Sequence, residues 1–247
     1  MQEARKLLRR VHRDRQGRFL LEGPRALADA LEAGAPIREV FATEVAAQTL
    51  PPGYDVTLVG ERVIRFLTDS ASPQGVVAVA EAPNADLEDL ARSDLSLILA
   101  GVRDPGNAGT LVRSAAAAGA GAVVFTEGSV DPLNPKTVRA CAGALFSVPV
   151  VRDVTVAEAA SAARAVGIQT LGADVTAGAG VESYDLTRPT AFVLGNEAWG
   201  FEAGLEHLLD GTVRIEMPGR VESLNVGIAG SILLFEAVRT RSAGARG

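Results

Sequence analysis

Three stretches of this chain place polar residues directly after apolar runs, where α/β proteins bind ligands. In the first, Gly101-Val-Arg-Asp-Pro-Gly-Asn107 leads into a helical pattern, TLVRSAAAAG, interrupted by the single cation Arg113. A guanidinium there is either the buried partner of a carboxylate or a phosphate-binding group. Asp104-Pro105-Gly106 suits a type II turn, which leaves Asn107 as the helix N-cap. The second stretch, Gly195-Asn196-Glu197-Ala198-Trp199-Gly200, follows AFVL. Glycines let a ligand approach the backbone beside the carboxylate of Glu197; otherwise Glu197 is an exposed acid next to a packing Trp199. The third runs from Met217 to Asn225 and opens the last helix. Pro218 and Gly219 set a bend, and Ser223 and Asn225 are both cap-forming residues. A helix start also favours polar ligand groups, and capping accounts for only one of the two.

Other chemistries lack their residues. There is no GxGxxG after a strand, no GxSxG, no HExxH and no Walker A sequence, the lysines being Lys6 and Lys136 alone. His12 and His207 belong to no nucleophile motif. Cys141, the single cysteine, sits in ACAGAL as a core residue and excludes an internal disulfide; no metal is expected. No apolar run is long enough to span a bilayer and none reads as a signal peptide, so the expected location is cytoplasmic, without membrane partners.

The elements that position these loops change character along the chain. Residues 1–80 alternate short helices and strands: helix 2–10, strand Arg18–Leu21, helix Pro24–Ala33, strands Ile37–Thr43 and Asp55–Val59, helix Glu61–Leu67, strand Val76–Ala80. Residues 81–94, polar with Pro83 and Asn84, read as a linker. Residues 95–247 carry longer βα units. Their continuous apolar strands (LSLILAG, AVVF, IQTLGAD, TAFVLG) alternate with amphipathic helices, a short one spanning about Glu202–Leu208. That pattern calls for a parallel sheet covered on both faces.

Charge is uneven. The net charge is −6, yet residues 1–25 hold Arg5, Lys6, Arg9, Arg10, Arg13, Arg15, Arg18 and Arg25 against Glu3, Asp14 and Glu22. Such a cluster supplies sequence-independent attraction to phosphates, or is a solvated helix face. On the first reading Arg9, Arg10, Arg13, Arg15 and Arg18 bind RNA.

Taken together, the three loops resemble the motifs of the SpoU (TrmH-like) branch of the SPOUT RNA methyltransferases. They are Asn107-x-Gly109-x-x-x-Arg113-Ser114 after Asp104-Pro105, then Leu194-Gly195-Asn196-Glu197, then Ile215-x-Met217-Pro218 with Ser223-Leu224-Asn225-Val226. The likeness covers about residues 95–241. Phe19-Leu-Leu-Glu-Gly23 and Ser72-Pro-Gln-Gly75 are similar to the substrate-binding domain often fused ahead of it, a small α/β fold like a ribosomal-protein RNA binder.

The resemblance implies an α/β fold in which a parallel-sheet SPOUT domain ends in a trefoil knot. It also implies a homodimer, with the final helix (Ile228, Ile232, Leu233, Phe235, Val238) at the interface. S-adenosylmethionine would be held by Leu194, Gly195, Ile215, Met217 and Leu224, and its methyl transferred to a ribose 2′-hydroxyl. Arg113 would stabilise the developing alkoxide, while Asn107, Glu197, Ser223 and Asn225 hold the loops in register. Ribosomal RNA is the expected substrate. A transfer RNA, or an inactive RNA-binding or ribosome-assembly factor, stays open at this point.

Overall fold

A computed structural model describes residues 1–51, 55–201 and 204–244. They form two compact units, Met1–Pro83 with Asp131–Ser147, and Asn84–Val130 with Val148–Gly247.

The first unit contains, in chain order, α1 (Gln2–Lys6), α2 (Arg10–Gln16), β1 (Arg18–Glu22), α3 (Pro24–Glu32), β2 (Ile37–Ala42), α4 (Glu44–Ala47), β3 (Val56–Leu58), α5 (Glu61–Leu67) and β4 (Val76–Glu81). Its sheet has the order β1-β4-β2-β3, with β4 antiparallel to both neighbours and β3 parallel to β2. Alternate residues of a strand face opposite sides of its sheet. On one side Val77 and Val79 pack with Ala4, Leu7, Ile64 and Leu67, and Val76, Ala78 and Ala80, which point to the other side, are buried as well. The sequence reading of one helix over 2–10 is corrected: the chain breaks at Leu7 and resumes as α2.

One member of the basic cluster has a different job from the one its charge suggests. Arg13 is 2% exposed, donates twice to Asp131 Oδ2 (2.5 and 3.0 Å) and once to the Leu7 carbonyl (2.8 Å). Its guanidinium has no route to an RNA phosphate, because burial leaves it only the carboxylate that neutralises it. Arg13 is therefore removed from the RNA-binding set. The same segment brings Arg139 to Glu22 (2.8 Å) and Asp69 (2.7 Å), and sets Phe146 against Phe19, with ring centres 6.2 Å apart.

The second unit begins with α6 (Leu87–Ala91), inside the stretch whose polarity suggested a linker; Asp86 and Asp89 close a capping box there, and Leu90 is buried. Then follow β5 (Leu95–Leu99), α7 (Pro105–Ala117) and β6 (Ala122–Thr126). After α8 (Pro135–Cys141), which belongs to the first unit, come β7 (Val150–Val154), α9 (Val156–Ala165), β8 (Gln169–Ala173), β9 (Thr190–Leu194), β10 (Gly211–Val213) and α10 (Val226–Gly244). The six strands are all parallel, in the order β10-β8-β9-β5-β6-β7. Ile98, Val124 and Val193 pack with α6 and α9, while Leu194 lies against Gly230 of α10, so both faces are covered. Of the short helix expected near Glu202–Leu208, a 3-10 turn occupies Leu205–Leu208; Glu202 and Ala203 lie outside the described residues.

β5 leads outward to β6 and β7, whereas β9 and β8 lie on its other side. The strand order reverses between β5 and β9, and the crevice outside their carboxyl ends is where such sheets bind ligands.

Candidate active site

The loop after β5 enters α7 through Asp104, whose carboxylate accepts from the Asn107 amide at 2.8 Å, followed by Pro105 at the first helical position. Asn107 is thus the third residue of the helix and not its cap, and no type II turn precedes it. An Asp N-cap with Pro behind it satisfies a helix start three residues earlier. The Asn107 side chain is freed by this shift to reach across the site. Its Nδ2 donates to Glu197 Oε1 (3.2 Å), and its Oδ1 accepts from Asn225 Nδ2 (2.8 Å).

Glu197 also accepts from the amides of Arg103 (3.2 Å) and Asp104 (3.0 Å). Burial pushes its carboxyl up, but the Asp104 amide, its own amide, the Asn107 side chain and the Arg103 amide outweigh burial. The net effect holds the group below the ordinary glutamate value. Asn225 in turn caps α10, its Oδ1 accepting from Gly227 N (2.9 Å) and Ile228 N (3.3 Å). The first turn of α7, the loop after β9 and the cap of α10 are thereby joined in one hydrogen-bonded chain. Asn196 adds a fourth tie, donating to the Gly101 carbonyl at 2.9 Å.

Beside this chain lies a cavity of about 740 Å³. Leu194, Gly195, Ile215, Met217 and Leu224, the residues expected to hold the cofactor, all line it, as do Asn107, Glu197, Ser223 and Asn225. Aliphatic side chains there can sandwich a planar base. Among the described residues, the backbone N–H groups of Ile215, Met217 and Leu224 have no hydrogen-bond partner within the chain. Free amides against an apolar wall fit an adenine edge. Gly195 permits the wall to close, since a Cβ there would lie 2.6 Å from the Gly200 carbonyl carbon. Asp174 and Thr176, after β8, also line the cavity. Sequence reasoning missed them, although they too follow a strand's carboxyl end.

Arg113 lies on α7 with its side chain exposed, and among the described residues nothing pairs with it. That removes the reading as a buried partner of a carboxylate. It does not line the cavity; its neighbour Ser114 ties α7 to α10 through Ser231, with hydroxyls 2.6 Å apart. In the first unit Arg9 and Arg15 are exposed, Arg18 is half-buried, and Arg10 pairs with Asp14 at 3.3 Å. Among the described residues no helix is long and apolar enough to cross a membrane, and no cluster of three or more His, Cys, Asp or Glu side chains could hold a metal.

Known proteins with this arrangement are similar over nearly the whole chain. The SpoU rRNA Methylase family matches residues 94–235, and an MRM3-like substrate binding domain matches 1–78. The "23S rRNA (guanosine(2553)-2'-O)-methyltransferase RlmP" of Bacillus subtilis is 31% identical, across 94% of this chain and 92% of that protein. A crystal structure of the SpoU methyltransferase AviRb from Streptomyces viridochromogenes in complex with AdoMet superposes with a TM-score of 0.88 at 33% identity, covering 98% of this chain and 97% of that one. An AdoMet-bound rRNA methyltransferase from Sinorhizobium meliloti gives 0.84 at 34% identity, covering 96% and 93%. With residues 94–235 matched to the family and relatives similar over nearly the whole chain, the chain belongs to the SpoU rRNA methylase family.

Proposed function

We propose that this protein transfers a methyl group from S-adenosylmethionine to a ribose 2′-hydroxyl of ribosomal RNA. The observation that carries the reading is the hydrogen-bonded chain Glu197–Asn107–Asn225 on the wall of a cavity built from Leu194, Gly195, Ile215, Met217 and Leu224. Relatives that superpose on it hold AdoMet, and related chains are named 23S rRNA 2′-O-methyltransferases.

When bound, S-adenosylmethionine supplies a methyl group activated by its sulfonium. The protein's task is to present the ribose oxygen in line and ease its proton away. Arg113 takes that task by stabilising charge on the 2′-oxygen and orienting the neighbouring phosphate; an unpaired guanidinium is free to do both. It does not serve as the base, since a guanidinium in a protein keeps its proton, and the proton leaves through phosphate or water. Asn107, Glu197 and Asn225 hold the two helix starts and the Glu197 loop in register, with Ser223 on the cavity wall available to the ligand.

Residues 1–80 form the RNA-binding domain in this reading, with Arg9, Arg10, Arg15 and Arg18 drawing in phosphates and residues 95–247 doing the chemistry. The catalytic part carries a trefoil knot. This is supported by the path of the chain, which leaves β9, passes to β10 on the far side of β8 and returns as α10 against β9 and β5. It works as a homodimer through α10. Two measurements test the function: calorimetry with S-adenosylmethionine and S-adenosylhomocysteine, and mapping of ribose methylation on ribosomal RNA from cells with and without the gene. Both ligands should bind and one ribose methylation should vanish with the gene; an unchanged methylation map would refute the substrate.

A further inference from the structure

Trp199 is the sole tryptophan of the chain and it is 71% exposed, at the rim of the cavity. The loop that carries it is fixed. Asn196 and Gly200 exchange backbone hydrogen bonds of 2.8 and 2.9 Å, the Asn196 side chain receives the Ala198 amide at 2.9 Å, and Glu197 is anchored on α7. The indole therefore faces solvent from a closed, multiply bonded turn, and the packing role that the sequence left open is excluded. Tryptophan, apolar with one polar handle, is enriched at binding surfaces.

A second group lies on the loop to which Glu197 is bonded. Arg103 donates its amide to the side chain of Glu197 (Oε2, 3.2 Å), which ties its loop to the one that carries Trp199 two residues after Glu197. Its side chain is exposed and, among the described residues, has no hydrogen bond or ion pair.

We infer that Trp199 and Arg103 form a clamp for the target strand: the indole stacks on an unpaired RNA base, and the guanidinium takes a backbone phosphate next to it. Unpaired bases are recognised by stacking on aromatic faces, and a guanidinium fork matches a phosphate in two hydrogen bonds. A base stacked at the cavity rim also fixes the attached ribose, which in-line transfer demands. The clamp is sequence-tolerant, because every base offers a π-face. This inference rests on the RNA methyltransferase reading and names residues that would position its substrate.

The full-length protein provides its own probe, since all tryptophan fluorescence comes from Trp199. The titrants are a single-stranded oligoribonucleotide, the same strand annealed to its complement, and S-adenosylhomocysteine. The single strand should quench the emission and shield it from acrylamide, and the duplex should do neither. Trp199→Ala should weaken single-strand binding on the order of 10- to 100-fold, with Trp199→Phe recovering most of it. Arg103→Ala should lower the salt dependence of binding by a slope of about 0.7. Cofactor affinity should stay at its wild-type value in both. Loss of cofactor affinity in Trp199→Ala would assign the indole to the cofactor, and emission already shielded in the free protein until dilution would assign it to a second copy; either overturns the clamp. Methyl transfer by both variants with wild-type KM and kcat sinks the clamp alone, whereas absence of transfer by the wild-type protein sinks the reading beneath it.

Discussion

Asn225 donates its side-chain amide to Asn107 Oδ1 at 2.8 Å, so the cap of α10 and the first turn of α7 form one hydrogen-bonded unit across 118 residues of sequence. The Asn225 Oδ1 accepts from the amides of Gly227 and Ile228 in the first turn of α10. Asn225→Ala removes both functions and should cost about 1–2 kcal/mol in urea unfolding, a typical cap loss. Asn225→Asp retains the cap but sets a carboxylate against the Asn107 oxygen. It should unfold nearly like the wild type while losing cofactor affinity in calorimetry. Equal affinity in the Asp variant would show that the contact with Asn107 does not shape the site.

Glu197 gives the site a pH signature. Its carboxyl is held below the ordinary glutamate value in the folded state, so folding favours its ionised form. That contribution is complete above the unfolded value and is lost as pH falls through the lower folded value. The stability gap between wild type and Glu197→Gln should therefore be flat from neutral pH down to about 5 and close at more acidic pH. Urea unfolding across that range measures it; a gap that widens with acidity would contradict the assigned hydrogen bonds.

Arginines of the amino-terminal cluster should separate into two kinds. Arg13→Met strands Asp131 in the interior and should cost about 3–5 kcal/mol of stability. Substituting Arg9, Arg15 or Arg18 with Ser should leave stability within about 0.5 kcal/mol. Each should instead lower the salt slope of RNA binding by roughly 0.7–0.9 per lost contact. Filter binding across a salt series and urea unfolding read the two effects independently.

On α10, Ile228, Ile232 and Phe235 are 51%, 39% and 48% exposed, spaced i, i+4, i+7 on one stripe, whereas Leu233 faces inward and is buried. A stripe of this kind suits a self-complementary interface. Wild-type protein should scatter light as a dimer at micromolar concentration. Replacing Ile232 and Phe235 together with Glu should give a monomer with unchanged circular dichroism, and a monomeric wild type would remove the interface.

Much of the second unit was legible because its signals are local. Runs such as Leu95–Leu99 and Thr190–Leu194 are buried on both faces and read as continuous apolar strands. The loop after Thr190–Leu194 keeps polar residues, Asn196 and Glu197, that cap no helix. What escaped reading depends on distant partners. α2 has no apolar stripe, since Val11 is exposed and its one buried side chain is Arg13, whose partner lies 118 residues away. α6 is too polar to stand out, and Leu90 is the single residue that it buries. Residues 131–147 join the first unit through Arg13, Glu22 and Asp69, a grouping with no trace in the local pattern. Asn107 falls inside the helix and not at its cap because Asp104-Pro105, which suits a turn by composition, is itself a helix-start signal.

Arg113 is the group to which the proposed mechanism gives the reacting oxygen, and among the described residues its exposed, unpaired guanidinium distinguishes it from the structural arginines described above. Single-turnover transfer of a labelled methyl group to ribosomal RNA, followed by digestion to nucleosides, tests the whole account. Wild-type protein should yield 2′-O-methylated nucleoside. Arg113→Ala should bind cofactor normally yet slow transfer at saturating RNA by on the order of 100-fold or more. Arg113→Lys should recover only part of the rate, because an ammonium lacks the planar fork. Label on a base instead of a ribose, or an undiminished rate in Arg113→Ala, would contradict it.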